Sequence, residues 1–356
     1  IMAIKPIRVG LIGAGGNMKT RHIPGFKKIN GVILAAVSNR SYASGKKIAD
    51  EFGIQKVCHD WMEIIEDETI DAVCIGTWPY MHETLTIGAL DHGKHVLCEA
   101  RMAMNSAEAH RMLKVSMDYP RQVAQIVPSP RTFAIDRTII EMMGKGYIWD
   151  LISVDARVNT GSAFPKNDSP MHWRFSREFS GNNIMAMGIL YEAMMRWVGT
   201  ARSVQALGQS VIKHRIGPDK SRVQMTIPDH VDCICEMEQG GTMRYSISSV
   251  LGHSPMSIEC HIFGTEGTIS VLEKHGGKLE VYAGKRKDKT VKRVNIPKSK
   301  QGYWRVEEEF INAIRGKEEV KLTDFTTATK YMEWTDAVTL SMRRGEKIYL
   351  PLADRD

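Results

Sequence analysis

A glycine-rich turn near the start of the chain has the residue types needed to bind a dinucleotide. A short apolar run over residues 7–12 ends in Gly13-Ala14-Gly15-Gly16-Asn17, and a segment compatible with a helix follows. In such a strand–turn–helix unit the first glycine makes the tight turn, the second lets the backbone approach a pyrophosphate, and the helix N-terminus supplies free N–H groups. The turn therefore predicts cofactor contacts, although the third position, usually small, is Met18. The predicted residues are Gly13, Gly15, Gly16, Asn17 and Met18.

The end of the second predicted strand indicates which cofactor this is. Proteins that bind NAD usually carry Asp or Glu at this point, where it accepts a hydrogen bond from the ribose 2′-hydroxyl. Here the strand ends in Ser38-Asn39-Arg40-Ser41, which contains no carboxylate. Ser38 and Asn39 can donate hydrogen bonds, and Arg40 can pair with a 2′-phosphate. This pattern predicts NADP. The alternative is NAD, with Arg40 stacked on the adenine and Asn39 binding the hydroxyl.

The elements around this turn predict an α/β protein of two domains. In residues 1–127, short apolar strands alternate with helices, which is typical of βαβ units and a Rossmann parallel sheet. Pro128 and Pro130 then mark a boundary. Residues 128–356 carry many strands of alternating polarity, which predict an open, mostly antiparallel sheet with one covered face, together with helices.

Composition narrows the class of protein further. Of the 356 residues, 43% are hydrophobic and 25% charged, as in globular proteins, and no apolar run is long enough to span a bilayer. The net charge of +7 is concentrated between Lys285 and Lys300, which predicts a solvated hairpin rather than a nucleic-acid surface. Six cysteines without metal-ligand spacing predict buried thiols in a cytoplasmic protein. We expect no membrane, nucleic-acid or metal partner.

Several further motifs resemble one enzyme family along nearly the whole chain. The resemblance is to the glucose–fructose oxidoreductase, inositol dehydrogenase and rhizopine-catabolism family. Beside the glycine turn, the matching segments lie at residues 71–77, 93–99, 173–174, 181–188, 263–268 and 310–314, and the block Gly93-Lys94-His95-Val96-Leu97-Cys98-Glu99 is the most specific.

The resemblance implies a nicotinamide-dependent oxidoreductase that acts on a sugar, cyclitol or related polyol. It implies a C-terminal domain whose open sheet carries the substrate pocket and often the contact of a homo-oligomer, a dimer or tetramer. It also implies further contacts from matching positions of this chain. For the cofactor these are Thr77, Trp78, His82, Glu99 and Ala100, and for the substrate they are Trp173, Arg174, Asn182 and Asn183.

The chain departs from the family where protons are handled. Family members usually follow the glutamate with Lys-Pro, and here those positions are Ala100 and Arg101. The usual Asp and His of the second active-site segment fall on Ala186 and Leu190. The Tyr and His of the related glycoside-hydrolysing branch fall on Ile184 and Met187. Removing hydride from an alcohol requires a base for the hydroxyl proton, and none of these apolar side chains can be one.

Four nearby residues are candidate replacements. His172 and Tyr191 could transfer a proton, Glu192 could act as a base, and Arg101 could stabilise an oxyanion. Each has a structural alternative. His172 could be a solvated loop residue, Tyr191 could face away from the pocket, Glu192 could pair with Arg196 at i+4, and Arg101 could be surface charge.

Because apolar residues occupy the usual proton-transfer positions, two other functions remain possible. One is a redox-neutral lyase or glycosidase that uses tightly bound NAD(P) transiently. Another is a catalytically silent, cofactor-bound sensor. Net change of the reduced-nicotinamide absorbance during turnover distinguishes the oxidoreductase from both.

Overall fold

The computed structural model describes residues 5–161 and 163–352, so the outermost ends of the two predicted domains, residues 1–4 and 353–356, lie outside the described residues. The chain forms two compact units. The first comprises residues 1–128 and 305–329, and the second comprises residues 129–304 and 330–356.

The first unit contains a six-stranded parallel sheet in the order β3-β2-β1-β4-β5-β6. Its central strands are apolar on both faces, with Val9, Val73 and Val96 fully buried, as expected for a sheet covered on both sides. The strand order reverses between β1 and β4, so ligands are expected at the carboxyl ends of these strands. The strands are β1 (Ile7–Ile12), β2 (Val32–Ser38), β3 (Lys56–Cys58), β4 (Ala72–Ile75), β5 (His95–Cys98) and β6 (Ala124–Ile126), and the helices are α1 (Ile23–Lys27), α2 (Tyr42–Phe52), α3 (Met62–Ile65), α4 (His82–Asp91) and α5 (Ser106–Asp118).

The second unit contains a nine-stranded sheet whose neighbours are antiparallel except for the parallel pair β7 and β12. The alternation seen in the sequence is confirmed: along β11, Val231, Cys233 and Cys235 are buried and Ile234 is exposed. A separate short hairpin joins β9 and β10. The elements are α6 (Phe133–Gly144), β7 (Leu151–Asn159), α7 (Arg177–Ser180), α8 (Met187–Val198), β8 (Ala201–Gln209), β9 (His214–Ile216), β10 (Arg222–Gln224), β11 (His230–Met237), β12 (Thr242–Ser248), β13 (Met256–Gly264), β14 (Gly267–Lys274), β15 (Glu280–Lys285) and β16 (Lys292–Arg293).

The C-terminal segment departs from the predicted continuous second domain, because residues 305–329 return to the first unit. Helix α9 (Val306–Ile314) has an apolar face with Val306, Phe310 and Ile311 buried, and it packs on α1. Helix α10 (Phe325–Arg344) and the short strand β17 (Ile348–Tyr349) follow. The predicted boundary after residue 127 could not anticipate this return, since a helix's own periodicity does not identify the unit that covers it.

Two minor expectations are confirmed by the structure. The basic segment forms an edge hairpin of β15 and β16, with Tyr282 opposite Arg293. All six cysteines are buried and free. Across the described residues, no helix combines the length and the apolar character needed to cross a membrane.

Candidate functional site

The predicted turn of the first unit has a backbone that only glycine suits at its first position. Gly13 has φ of +79°, and its N–H donates a hydrogen bond of 2.8 Å to the carbonyl oxygen of Ser38. A Cβ at this position would lie 2.7 Å from the backbone nitrogen of Thr77. Both the left-handed conformation and the lack of space therefore require glycine here.

Gly15 and Gly16 differ from Gly13, because they face open space. A Cβ added at either position would have no atom within 4 Å. Both residues are exposed and follow the carboxyl end of β1. Gly15 borders a cleft of about 240 Å³, which is lined by Gly13, Gly15, Asn39, Arg40, Ser41, Ser44, Gly76, Thr77, Trp78 and Tyr80. The open backbone at the reversal of strand order fits a pyrophosphate group.

Met18 does not line this cleft with its side chain, which is a correction to the sequence prediction. It begins a π-helical turn, Met18–His22, which continues directly into α1. Its side chain is 1% exposed, and a Cβ at Gly76 would lie 2.7 Å from its Cε. Met18 thus packs beneath the turn and can offer a ligand only its backbone.

The segment after β2 forms the opposite wall of the cleft. Asn39 is held in place because its Oδ1 accepts a 2.6 Å hydrogen bond from the N–H of Ala14 and its Nδ2 donates to Ser44 Oγ at 2.9 Å. The guanidinium of Arg40, an exposed residue, lies 5.6 Å from the ring centre of Trp78, in cation–π range. Ser38 is buried, so its hydroxyl does not reach the cleft, contrary to the prediction.

Glu99 belongs to a polar cluster that the sequence did not reveal. Its Oε1 accepts hydrogen bonds from His22 Nε2 at 2.9 Å and from Asn17 Nδ2, and its Oε2 accepts one from the N–H of Ala100. On the other side of the imidazole, His22 Nδ1 lies 2.6 Å from Glu307 Oε1. Asn17 thus joins the glycine turn to the residue that follows β5.

These contacts determine the charges of the cluster. Burial opposes protonation of His22, but its hydrogen bonds to Glu307 and Glu99 outweigh it and raise the pKa of His22 to about 9. Burial likewise opposes ionisation of Glu99, yet His22 and Asn17 hold its pKa below the usual value. At neutral pH, His22 is therefore an imidazolium and Glu99 a carboxylate.

His82 connects two loops of the first unit. It is fully buried, with Nδ1 2.9 Å from the carbonyl oxygen of Arg101 and Nε2 3.0 Å from that of Thr77. Burial lowers its pKa against the effect of these carbonyls. Its imidazole therefore supports the backbone of Thr77, which lines the cleft, and the predicted direct contact of His82 with the cofactor is not supported.

Ala100 and Arg101 occupy the positions of the family's Lys-Pro pair. The peptide bond between them is cis. Arg101 is 4% exposed, which rules out the alternative that it is surface charge at a helix start. A buried guanidinium keeps its positive charge, so Arg101 provides a cation in the first unit immediately after Ala100.

In the second unit, the half-buried ring of Trp173 contacts two exposed neighbours, His172 and Arg174. The N–H of Arg174 donates a 3.3 Å hydrogen bond to His172 Nδ1, and the Arg174 guanidinium lies 4.3 Å from the ring centre of Trp173. Partial burial and the charge of Arg174 lower the pKa of His172 below 6.5. His172 is thus neutral at pH 7, the form that accepts a proton.

Tyr191 and Glu192 are structural residues, so their prediction as catalytic groups is wrong. Tyr191 is 1% exposed, and its hydroxyl accepts a 2.8 Å hydrogen bond from the N–H of Ala201. Burial raises its pKa far above the usual value. Glu192 is equally buried and forms the ion pair with Arg196 that was its alternative, at 2.7 Å, while accepting the N–H of Ser129.

The predicted substrate residues Asn182 and Asn183 have different surroundings. Asn183 is fully buried, and its Nδ2 donates to the carbonyl oxygen of Ser180, so it stabilises the turn rather than contacting a substrate. Half-buried Asn182 accepts a 2.7 Å hydrogen bond from Arg177 and donates one of 2.9 Å to Asp336. Sequence reasoning missed Arg177 and Asp336, since Asp336 lies on a different helix far along the chain.

Comparison with known proteins assigns the chain to a family. A model described as the oxidoreductase family with an NAD-binding Rossmann fold matches residues 7–125, and the model of the GFO/IDH/MocA C-terminal domain matches residues 137–270. Together they match more than half of the chain. The protein belongs to the Gfo/Idh/MocA oxidoreductase family, as the resemblance indicated, and its two-domain α/β fold is confirmed.

Individual relatives give the range of similarity. Myo-inositol 2-dehydrogenase of Thermotoga maritima is 32% identical over 108 residues, which cover 30% of this chain and 32% of that protein. The 1,5-anhydro-D-fructose reductase of Ensifer adhaerens is 26% identical over 266 residues, 74% of each. Matches to the first curated relatives span less than half of their length. The structure of levoglucosan dehydrogenase in complex with NADH and L-sorbose superimposes with a TM-score of 0.81 at 20% identity, covering 97% of this chain and 99% of that one.

Proposed function

We propose that this protein is an NAD(P)-dependent oxidoreductase that acts on a hydroxyl or carbonyl group of a sugar, cyclitol or sugar-derived compound. The observation that carries the proposal is the open backbone at Gly15 and Gly16, beside a cleft at the reversal of strand order in a parallel sheet. Family membership supports the reaction class. The names of relatives, an inositol dehydrogenase and an anhydrofructose reductase, support the substrate class.

The cofactor contacts come from two walls of the cleft. Gly16 and Asn17 would bind the pyrophosphate through backbone N–H groups, and Gly15, whose own N–H donates to the carbonyl oxygen of Gly13, would leave room for it. Arg40 would face the adenosine end, and the lack of a carboxylate after β2 favours NADP over the alternative, NAD. Thr77 and Trp78, which also line the cleft, would contact the dinucleotide between its two ends.

When bound, the nicotinamide would accept or donate the hydride, so the protein must handle the accompanying proton. Of the four predicted catalytic residues, His172 combines an exposed side chain with a lowered pKa, which suits a general base near neutral pH. Trp173 and Arg174 would orient a hydroxylated substrate beside it. Arg101 would stabilise negative charge on the substrate oxygen, because its guanidinium does not deprotonate.

A panel of sugars, cyclitols and sugar acids, each offered with NADP⁺ and NAD⁺, tests the proposal. We expect at least one compound to cause net reduction of the cofactor, recorded as absorbance of the reduced nicotinamide. The apolar residues at positions 100, 186 and 190 favour one competing function, a redox-neutral lyase or glycosidase. Product formation without net absorbance change would identify that function. Cofactor binding with no turnover of any compound would identify a silent sensor.

The outer face of the nine-stranded sheet supports a homo-oligomer. Leu207 on β8 and Ile234 on the adjacent strand β11 are exposed there, with exposed fractions of 78% and 59%. Phe263, with an exposed fraction of 37%, lies three strands from β11, on β13. Burying such residues against a second copy would be favourable. Light scattering of the wild type and of a Leu207→Glu, Ile234→Glu variant tests this proposal, with a lower mass expected for the variant.

A further inference from the structure

A buried imidazole joins two carboxylates beneath the glycine turn. His22 is fully buried, with Nε2 2.9 Å from Glu99 Oε1 and Nδ1 2.6 Å from Glu307 Oε1. The three residues come from separate elements: His22 ends the π-helical turn, Glu99 follows β5, and Glu307 lies in the first turn of α9. A neutral imidazole has one N–H donor, whereas an imidazolium has two. Two carboxylates on opposite sides of the ring favour the protonated imidazole, which is positively charged and has an N–H on each nitrogen.

Gly25 gives Glu307 the space for this contact. A Cβ at position 25 would lie 2.6 Å from Cδ of Glu307. The carboxylate of Glu307 thus lies against the backbone of α1 at Gly25, and any larger residue at position 25 would displace it. Gly25 has no positive φ, so the requirement here is space rather than backbone conformation.

The cluster carries one net negative charge, from two carboxylates and one imidazolium. Arg101, two residues after Glu99, is a buried cation, and it is unchanged in every variant compared below. The remaining neighbours are neutral, paired or exposed. Asn17 is neutral, burial raises the pKa of the Cys74 thiol well above its usual range, and burial lowers the pKa of His82. On the π-helical turn itself, Lys19 pairs with Glu51, and Arg21 is exposed. Glu99 is the member whose side chain is partly exposed, at 16%.

The position of Glu99 in the sheet indicates which part of the cofactor it faces. A dinucleotide lies across the reversal of strand order, with one nucleotide on each side. Arg40 and Ser41 follow β2, which places the adenosine half over β2 and the nicotinamide half over β4 and β5. Glu99 follows β5 and contacts the glycine turn through Asn17. The oxidised nicotinamide ring is positively charged, and the reduced ring is neutral.

We propose that His22 and Glu307 are positioning residues that hold Glu99 as a fixed negative charge beside the nicotinamide half and thereby favour binding of the oxidised over the reduced cofactor. The inference rests on the proposed cofactor site. It concerns relative affinity for the two redox forms, which is separate from the proton transfer assigned to His172.

The test compares dissociation constants of NADP⁺ and NADPH, measured by calorimetry at pH 6 and pH 8.5. In Glu307→Gln at pH 6, His22 still neutralises Glu99, so the affinity ratio should shift toward NADPH by roughly tenfold. At pH 8.5 the imidazole of this variant, which has lost one of its carboxylates, releases its proton. The net negative charge and the wild-type ratio should then return. Glu99→Gln should shift the ratio at both pH values, because it removes the carboxylate beside the nicotinamide half and the remaining one, Glu307, lies on the other side of the imidazole.

Glu309→Gln is the matched control. Glu309 is buried on the same helix, but its carboxylate accepts hydrogen bonds from Gln125 Nε2 and the N–H of Lys321, each at 3.0 Å. This variant should keep the wild-type ratio at both pH values.

An unshifted ratio in folded Glu307→Gln at pH 6 would overturn the inference and leave the cofactor site intact. If that variant does not fold, an unshifted ratio in Glu99→Gln overturns it equally. Failure of the wild type to bind NADP or NAD in either redox form would instead overturn the proposed cofactor site, and this inference with it.

Discussion

The ring of Tyr191 stacks on that of Trp334, with ring centres 4.0 Å apart and an angle of 6° between the planes. Both side chains are fully buried in the second unit, and the Tyr191 hydroxyl accepts the N–H of Ala201. The pair joins α8 to α10 and connects α8 to the start of β8. Tyr191 therefore stabilises the core and does not take part in proton transfer.

This role predicts a loss of stability without a loss of turnover. Tyr191→Phe keeps the stack but leaves the buried N–H of Ala201 without its acceptor, which costs about 1–3 kcal/mol of unfolding free energy. Urea unfolding measures this change, and the rate on a confirmed substrate should stay within about twofold of the wild type. A 100-fold slower folded variant would restore Tyr191 as a candidate acid or base.

The geometry of the glycine turn predicts that one variant loses cofactor binding and another loses stability. Gly15→Val should fold normally, because its side chain enters open space, yet it should abolish cofactor binding by filling the place of the pyrophosphate. Gly13→Ala should unfold more easily, by at least about 1 kcal/mol, because φ is +79° and Thr77 is too close. Calorimetry and thermal unfolding separate the effects. Unchanged cofactor affinity in Gly15→Val would contradict the proposed site.

Arg40 predicts how the cofactor is selected. If its guanidinium binds a 2′-phosphate, Arg40→Ala should weaken NADP binding by about 1–3 kcal/mol and NAD binding much less. Lys46→Ala is a suitable control, because Lys46 is an exposed cation on α2 that pairs with Asp50. Equal losses for the two cofactors in Arg40→Ala would mean that Arg40 stacks on the adenine and that selection lies elsewhere.

The raised pKa of His22 predicts that the stability of the folded protein depends on pH. Its pKa is about 9 in the folded protein against 6.5 for the free side chain, so protonation favours folding. This contribution, about 3 kcal/mol, is fully present below pH 6.5 and is lost as the pH rises through 9. Urea unfolding at pH 6, 7.5 and 9.5 should show the decline in the wild type and a flatter profile in His22→Gln. Parallel profiles would show that other groups cause the decline.

His172 predicts both the size and the pH dependence of catalysis. As a general base it contributes about 10²–10⁴-fold, so His172→Ala should reduce turnover by that factor. Because its pKa is lowered below 6.5, the wild-type rate should fall only on acidification below that value. His275→Ala, which changes an exposed histidine in the turn after β14, should leave the rate unchanged. Wild-type turnover in folded His172→Ala would exclude this base.

Much of the architecture could be predicted from local pattern. The alternation of short strands and helices predicted for residues 1–127 is confirmed, and the glycine turn lies where a βα unit requires it. These features depend on short-range rules: strand alternation, apolar runs in a parallel sheet, and the backbone freedom of glycine. The family resemblance depends on the same contiguous blocks.

The tertiary structure alone decided which candidates are buried and which distant residues meet. Helix α8 is buried on nearly all sides, so its periodicity could not distinguish a pocket face from a core face for Tyr191 or Glu192. Glu307 is one of three consecutive glutamates, and only the packing of α9 on α1 directs it to His22. Sequence spacing determines local neighbours, whereas burial and long-range ion pairs depend on how the elements pack together.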